Sequence, residues 1–166
     1  MKDMKKCNIV RMISFFAALL LGLAAVASAQ DDGTCSLAGP AGQWGYTWTG
    51  TIILPTGPVP AAAVGRATLD AKGNISATQT SIVGGKVSED TLKGIFTVNS
   101  DCTGTQTVSV YDKSGNLLRT AVGATVSVDN GRESRATMTS LVQPNGTSLP
   151  TVITMNAKKQ FPRKEQ

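Results

Sequence analysis

The stretch Trp44-Gly45-Tyr46-Thr47-Trp48-Thr49-Gly50-Thr51-Ile52 sets its bulky side chains at 44, 46, 48 and 52 and places Gly or Thr opposite them. A repeat of two residues is that of a β-strand with one buried face. The same alternation recurs along the chain. Leu92, Phe96 and Val98 share a face, as do Val108 and Val110, Ala136 and Met138, and Ile153, Met155 and Ala157. Leu118, Val122, Ala124, Val126 and Val128 read as a further apolar face, with Arg119, Thr125 and Ser127 opposite. No stretch from Gln43 onward shows helical periodicity.

Turn residues separate these runs at even intervals: Asp70-Ala71-Lys72-Gly73-Asn74, Gly84-Gly85, Asn99-Ser100-Asp101, Asp112-Lys113-Ser114-Gly115-Asn116, Asp129-Asn130-Gly131 and Pro144-Asn145-Gly146. Gly, Asn and Asp tolerate the positive φ of tight hairpins. The spacing predicts eight strands near 43–54, 61–70, 74–83, 86–98, 103–111, 117–128, 131–142 and 149–158, with Ile53 to Pro60 holding a loop. Short connections pair sequential strands antiparallel, and an open meander would leave two bare edges. Closure into an all-β, eight-stranded antiparallel up-and-down barrel removes both. A two-sheet β-sandwich with Greek-key crossovers is the alternative.

Outward from this core, residues 1–29 read as a cleaved export signal. Lys2, Lys5, Lys6 and Arg11 precede the apolar run Met12 to Val26, and Ala27-Ser28-Ala29 is a small-x-small cleavage site. That run falls short of the roughly 20 residues of a spanning helix, so no membrane span is expected after cleavage. The exported chain then comprises an extended N-terminal segment (30–42), a β-barrel domain (43–158) and a flexible tail (159–166). A secreted or periplasmic location follows. The formal net charge of +5 falls to about +2 without the signal, because twelve Lys and Arg face ten Asp and Glu. The charges are scattered singly, against a nucleic-acid partner.

Two cysteines remain, Cys35 and Cys102, and an even count in an exported domain reads as a disulfide. The chain has no histidine, which excludes a Ser-His-Asp triad and imidazole metal sites. The carboxylates lack the spacing of a calcium loop. No metal, cofactor or catalytic residue is therefore assigned. Glu89-Asp90 reads as a solvated bend, and Glu133 with Arg135 as a salt-bridged outer face. Asn74-Ile75-Ser76 and Asn145-Gly146-Thr147 match the short glycosylation pattern, which also arises by chance. Trp44, Tyr46 and Trp48 admit two readings: the packed plug of a barrel core, or the lining of a ligand pocket.

The runs Gly65-Arg66-Ala67-Thr68-Leu69-Asp70-Ala71-Lys72-Gly73-Asn74, then Gly94-Ile95-Phe96-Thr97-Val98-Asn99-Ser100-Asp101-Cys102-Thr103-Gly104-Thr105, then Asn130-Gly131-Arg132-Glu133 resemble a group of small secreted bacterial proteins. These are similar to calycin-like barrels of the allene-oxide-cyclase or lipocalin type. The resemblance spans most of residues 43–142 and its motifs mark turns and strands, so it implies the calycin-like fold and no established activity. Two function classes are expected. One is an exported, non-catalytic barrel that binds a small apolar ligand or serves as an extracellular interaction module. The other is a cofactor-free isomerase or cyclase acting inside the barrel, which a lumen lined by Gln79, Thr120 and an inward carboxylate would favour. A lumen filled by Trp44, Trp48, Phe96, Met138 and Met155 would favour neither.

Overall fold

The computed structural model describes residues 35–160; residues 1–34, on which the expected export signal falls, and the last six residues lie outside them. Eight strands follow one another: β1 (Gly42–Leu54), β2 (Gly57–Leu69), β3 (Asn74–Val83), β4 (Lys86–Val98), β5 (Thr103–Tyr111), β6 (Leu117–Val128), β7 (Glu133–Val142) and β8 (Thr151–Lys159). Each pairs antiparallel with the next, and β8 returns to β1 to close the barrel. Trp48 stands opposite Met155 and Gly50 opposite Ile153 across that closure. The sandwich alternative is thereby excluded.

The loop expected at Ile53 to Pro60 is instead a hairpin turned by Pro55 and Thr56 alone, so β2 begins at Gly57. Prolines survive there because of where their nitrogens point. The Pro60 carbonyl accepts from Gly84 N at 2.9 Å, on the β3 side. A strand residue's N and C=O share a side, so Pro58 and Pro60 remove no bond from the β1–β2 ladder. β7 opens later than expected, at Glu133, because Asp129, Asn130 and Gly131 all have positive φ (52°, 52° and 72°). β8 opens after Pro150, whose carbonyl accepts from Ile53 N at 2.8 Å.

Two turns are built alike. Asp70 Oδ1 accepts from Lys72 N and Asn74 N, both at 2.8 Å. Asp112 Oδ1 accepts from Ser114 N at 2.8 Å and Asn116 N at 2.9 Å. These bonds hold both carboxyls below the usual carboxylate range, with the Asn side chain the largest cause in each.

One end of the barrel is covered by residues 35–41. Cys35 is bonded to Cys102 in the β4–β5 turn, with 5.0 Å between Cα atoms. Cys35 N donates to Ser100 O at 3.2 Å, Trp44 Nε1 to Pro40 O at 2.8 Å and Lys159 Nζ to Gly39 O at 2.8 Å. Leu37 packs beneath them against the aromatic core. Closing a loop of 67 residues stabilises by about 4 kcal/mol in the chain-entropy account. The disulfide is compatible with an oxidising extracellular or periplasmic setting.

The barrel's alternation places apolar side chains inside. Trp44, Tyr46, Leu69, Ala77, Leu92, Phe96, Val110 and Ala157 form one buried cluster near the covered end. Ile52, Ala61, Ala121, Leu141 and Ile153 form a second toward the far end. Trp48 touches both. Strand β6 reverses its expected polarity. Ala121 and Thr125 are buried while Val126 is 39% exposed, so the strand turns its small and polar residues inward. Large aromatics of β1 and β4 already occupy the lumen, and β-branched side chains of β6 fit better on the outer surface. Glu133 lies on the outside, 3.1 Å from Arg135 Nε and 3.6 Å from Lys158 Nζ.

Candidate functional site

The register of the first four strands builds the site. Tyr46 on β1 stands beside Gly65 on β2, Gly65 beside Gln79 on β3, and Gln79 beside Asp90 on β4. The neighbouring inward row reads Trp48, Ala63, Ser81 and Ser88. In both rows β1 supplies an aromatic, β2 a minimal side chain and β3 and β4 polar groups. The small residue lets the ring cross β2 and reach β3. A Cβ on Gly65 would lie 2.6 Å from the Tyr46 hydroxyl oxygen, so only glycine leaves room for this phenol.

The resulting hydrogen bonds fix one orientation of Gln79. Its Oε1 accepts from Trp48 Nε1 at 3.0 Å and Tyr46 OH at 3.3 Å, and its Nε2 donates to Asp90 Oδ2 at 2.9 Å. Ser81 Oγ donates to the same Asp90 oxygen at 2.8 Å and shares a 2.9 Å bond with Ser88 Oγ. Arg119 Nη2 lies 3.5 Å from it. Three donors thus converge on Oδ2. Asp90's side chain is 0% exposed, yet Oδ1 has no protein partner; Thr125 Oγ1 is the other such buried atom among the described residues. A buried acceptor without a partner costs about 1–3 kcal/mol, more when charged.

Burial, and secondly the negative charge of Asp90, push the Tyr46 hydroxyl well above the usual phenol range. It stays protonated and donates to Gln79. Burial lowers Arg119, and Asp90 acts against that shift.

Beside this network lies an interior cavity of about 140 Å³. Its wall is mainly apolar, with Trp44, Trp48, Leu92, Val110, Met138 and Met155 contributing, and Gln79, Gln106, Arg119, Ser127 and Ser134 supply the polar part. A wider funnel occupies the far end, between Lys86, Asp112, Lys113 and Leu149. Arg119 lines both spaces, and Asp90 lines the funnel. The ion pair therefore stands where funnel and chamber meet.

The structure places Trp44, Tyr46 and Trp48 together along the inner wall, bordering the chamber and packed in the aromatic core. Trp44 and Tyr46 are buried and Trp48 is half-buried. Of the residues proposed for an interior site, Gln79 lines the chamber and Thr120 does not. The reading of Glu89-Asp90 as a solvated bend is overturned. Both lie within β4, where Glu89 faces solvent 3.0 Å from Lys113 and Asp90 faces the lumen. Asp90 shares parity with Leu92 and Phe96, the available sequence signal. Arg119 was missed because its strand was assigned the opposite inner face. Among the described residues no group of three or more His, Cys, Asp or Glu side chains is placed to hold a metal ion.

No family model matches the chain. No curated protein matches it either. Among solved structures, the chain is similar to EF1p2_mFAP2b bound to DFHBI, at 11% identity and a TM-score of 0.53. That likeness covers 75% of this chain and 97% of the other. At such identity it shows the barrel fold alone.

Proposed function

We propose that the protein is an exported, non-catalytic barrel that holds a small apolar molecule in its chamber. The observation that carries this reading is the cavity of about 140 Å³ walled by Trp, Leu, Val and Met side chains inside a closed sheet. An engineered apolar cavity of about 150 Å³ stays dry and binds benzene, so one ring or its equivalent is the expected size. The similar barrel was solved bound to DFHBI, which supports small-ligand binding. The disulfide and the leader-like residues 1–29 support a secreted or periplasmic location.

Asp90, an inward carboxylate, favours a second reading, the cofactor-free isomerase or cyclase. Such chemistry needs an acid and a base on one substrate. Tyr46 is poorly suited as the acid, because its proton is held by burial and committed to Gln79. Binding therefore remains the conclusion.

Titration calorimetry with toluene tests it. The wild type should bind toluene at one site, and Ala77→Leu, which grows into the chamber wall, should abolish binding without loss of stability. Absence of toluene binding to the folded wild type would remove this reading.

A further inference from the structure

We propose that the chamber's ligand carries a neutral amide, with an N–H and a C=O side by side on a small apolar body, and that the side-chain amide of Gln106 receives it. This rests on the chamber being a ligand site. The two glutamines that line the chamber are used in opposite ways. Gln79 commits both ends of its amide, to Trp48 and Tyr46 on one side and Asp90 on the other. Gln106 makes a single side-chain bond among the described residues, from Nε2 to Met155 Sδ at 3.7 Å, and a thioether sulfur is a weak acceptor.

Gln106 reaches the lumen by its place in the sheet. It shares the inner face of β5 with Val108 and Val110, and it stands opposite Gly123 on β6. A Cβ on Gly123 would lie 3.2 Å from Gln106 Nε2 and 3.4 Å from its Cγ, so the side chain lies along the wall over this glycine. Its carbonyl is open to the chamber. Among the described residues, the side-chain atoms sealed in protein without a partner are Asp90 Oδ1 and Thr125 Oγ1. Gln106 Oε1 has no partner and is not one of them, so a molecule in the chamber can reach it.

The chemistry of the occupant is constrained by what Gln106 offers. With one N–H directed to Met155 Sδ, its amide still presents one donor and one acceptor side by side. A second amide, held as in a lactam, meets both at once. Setting an amide in a mainly apolar wall without a partner is costly, and Met at this position would fill the space without that cost. Charged ligands fit less well. Among the described residues Arg119 is the one charged side chain lining the chamber, and it faces Asp90 Oδ2 at 3.5 Å. A ligand carboxylate or ammonium would therefore lose its hydration without a free counter-ion.

The experiment is titration calorimetry of the intact, disulfide-bonded protein with toluene and with two isomers of similar size, δ-valerolactam, which has the N–H, and N-methylpyrrolidone, which lacks it. In a chamber that reads no N–H, δ-valerolactam binds more weakly than its isomer, because its N–H loses hydration on entry. With Gln106 as partner it should bind about fivefold tighter. Gln106→Met should remove that preference and leave toluene affinity within about twofold. Ser127→Ala with Ser134→Ala, which strips the hydroxyls of the chamber wall, should retain it. The isomer pair on the unaltered protein and on the serine variant decides the matter even should Gln106→Met fold poorly. Equal or weaker binding of δ-valerolactam, or a preference kept by Gln106→Met or lost in the serine variant, would overturn the assignment and leave the chamber reading standing. Failure of toluene to bind would remove the chamber reading and this inference with it.

Discussion

Replacing Gln79 by Met keeps the side chain's bulk and removes its amide, so the change isolates the hydrogen bonds from the packing. Three bonds are lost. The bond to Asp90 is charge-assisted and worth about 1.5–3 kcal/mol, and the Trp48 bond about 1 kcal/mol. The Tyr46 contact, at 3.3 Å, contributes less. The expected loss is about 3–4 kcal/mol, a large part of the roughly 5–15 kcal/mol that holds a domain together. In urea denaturation the midpoint should fall by about 1–3 M with an unchanged slope. Because Tyr46 OH bonds to Gln79, Tyr46→Phe should cost less in the Gln79→Met background than in the wild type. A loss under about 1 kcal/mol, or strictly additive effects, would refute the view that Gln79 ties the aromatic strand to Asp90.

Two further outcomes follow from other parts of the barrel. Cys35→Ser should lower stability by about 4 kcal/mol, and reductant should destabilise the wild type but leave the variant unaffected; equal responses would show that the staple over residues 35–41 is idle. Asp70, Asp101 and Asp112 are held below the usual carboxylate range by bonds within their own turns. A lowered folded pKa means that their contribution is complete above the unfolded value of about 3.9 and is lost as pH falls through the folded values. Stability should thus decline below about pH 4, and Asp70→Ala with Asp112→Ala should flatten that acid limb. An unchanged limb would contradict this.

The barrel was legible because most strands carry a clean inner face and because Gly84-Gly85 and the Asp-x-x-Gly-Asn turns fix register. The network was partly legible by the same means. Once Gly84-Gly85 is taken as a two-residue turn, Gln79 must stand opposite Asp90 and Ser81 opposite Ser88. What hid them was residue type, since adjacent carboxylates such as Glu89 and Asp90 usually mark solvent. On β6 the pattern was misleading for a physical reason. A lumen crowded by Trp44, Trp48 and Phe96 admits Ala121 and Gly123, and the more apolar alternation of that strand lies outside. Pro58 and Pro60 hid the start of β2, because their tolerance depends on which side the missing donor faces.

The proposed function requires a ligand-sized, mainly apolar space within the closed sheet. The most direct measurement is diffraction from crystals of the protein under xenon pressure, because xenon enters apolar cavities of this size. A xenon peak is expected inside the barrel among Trp48, Leu92, Val110 and Met155. A lumen without xenon, closed by side chains or filled by ordered water, would contradict it.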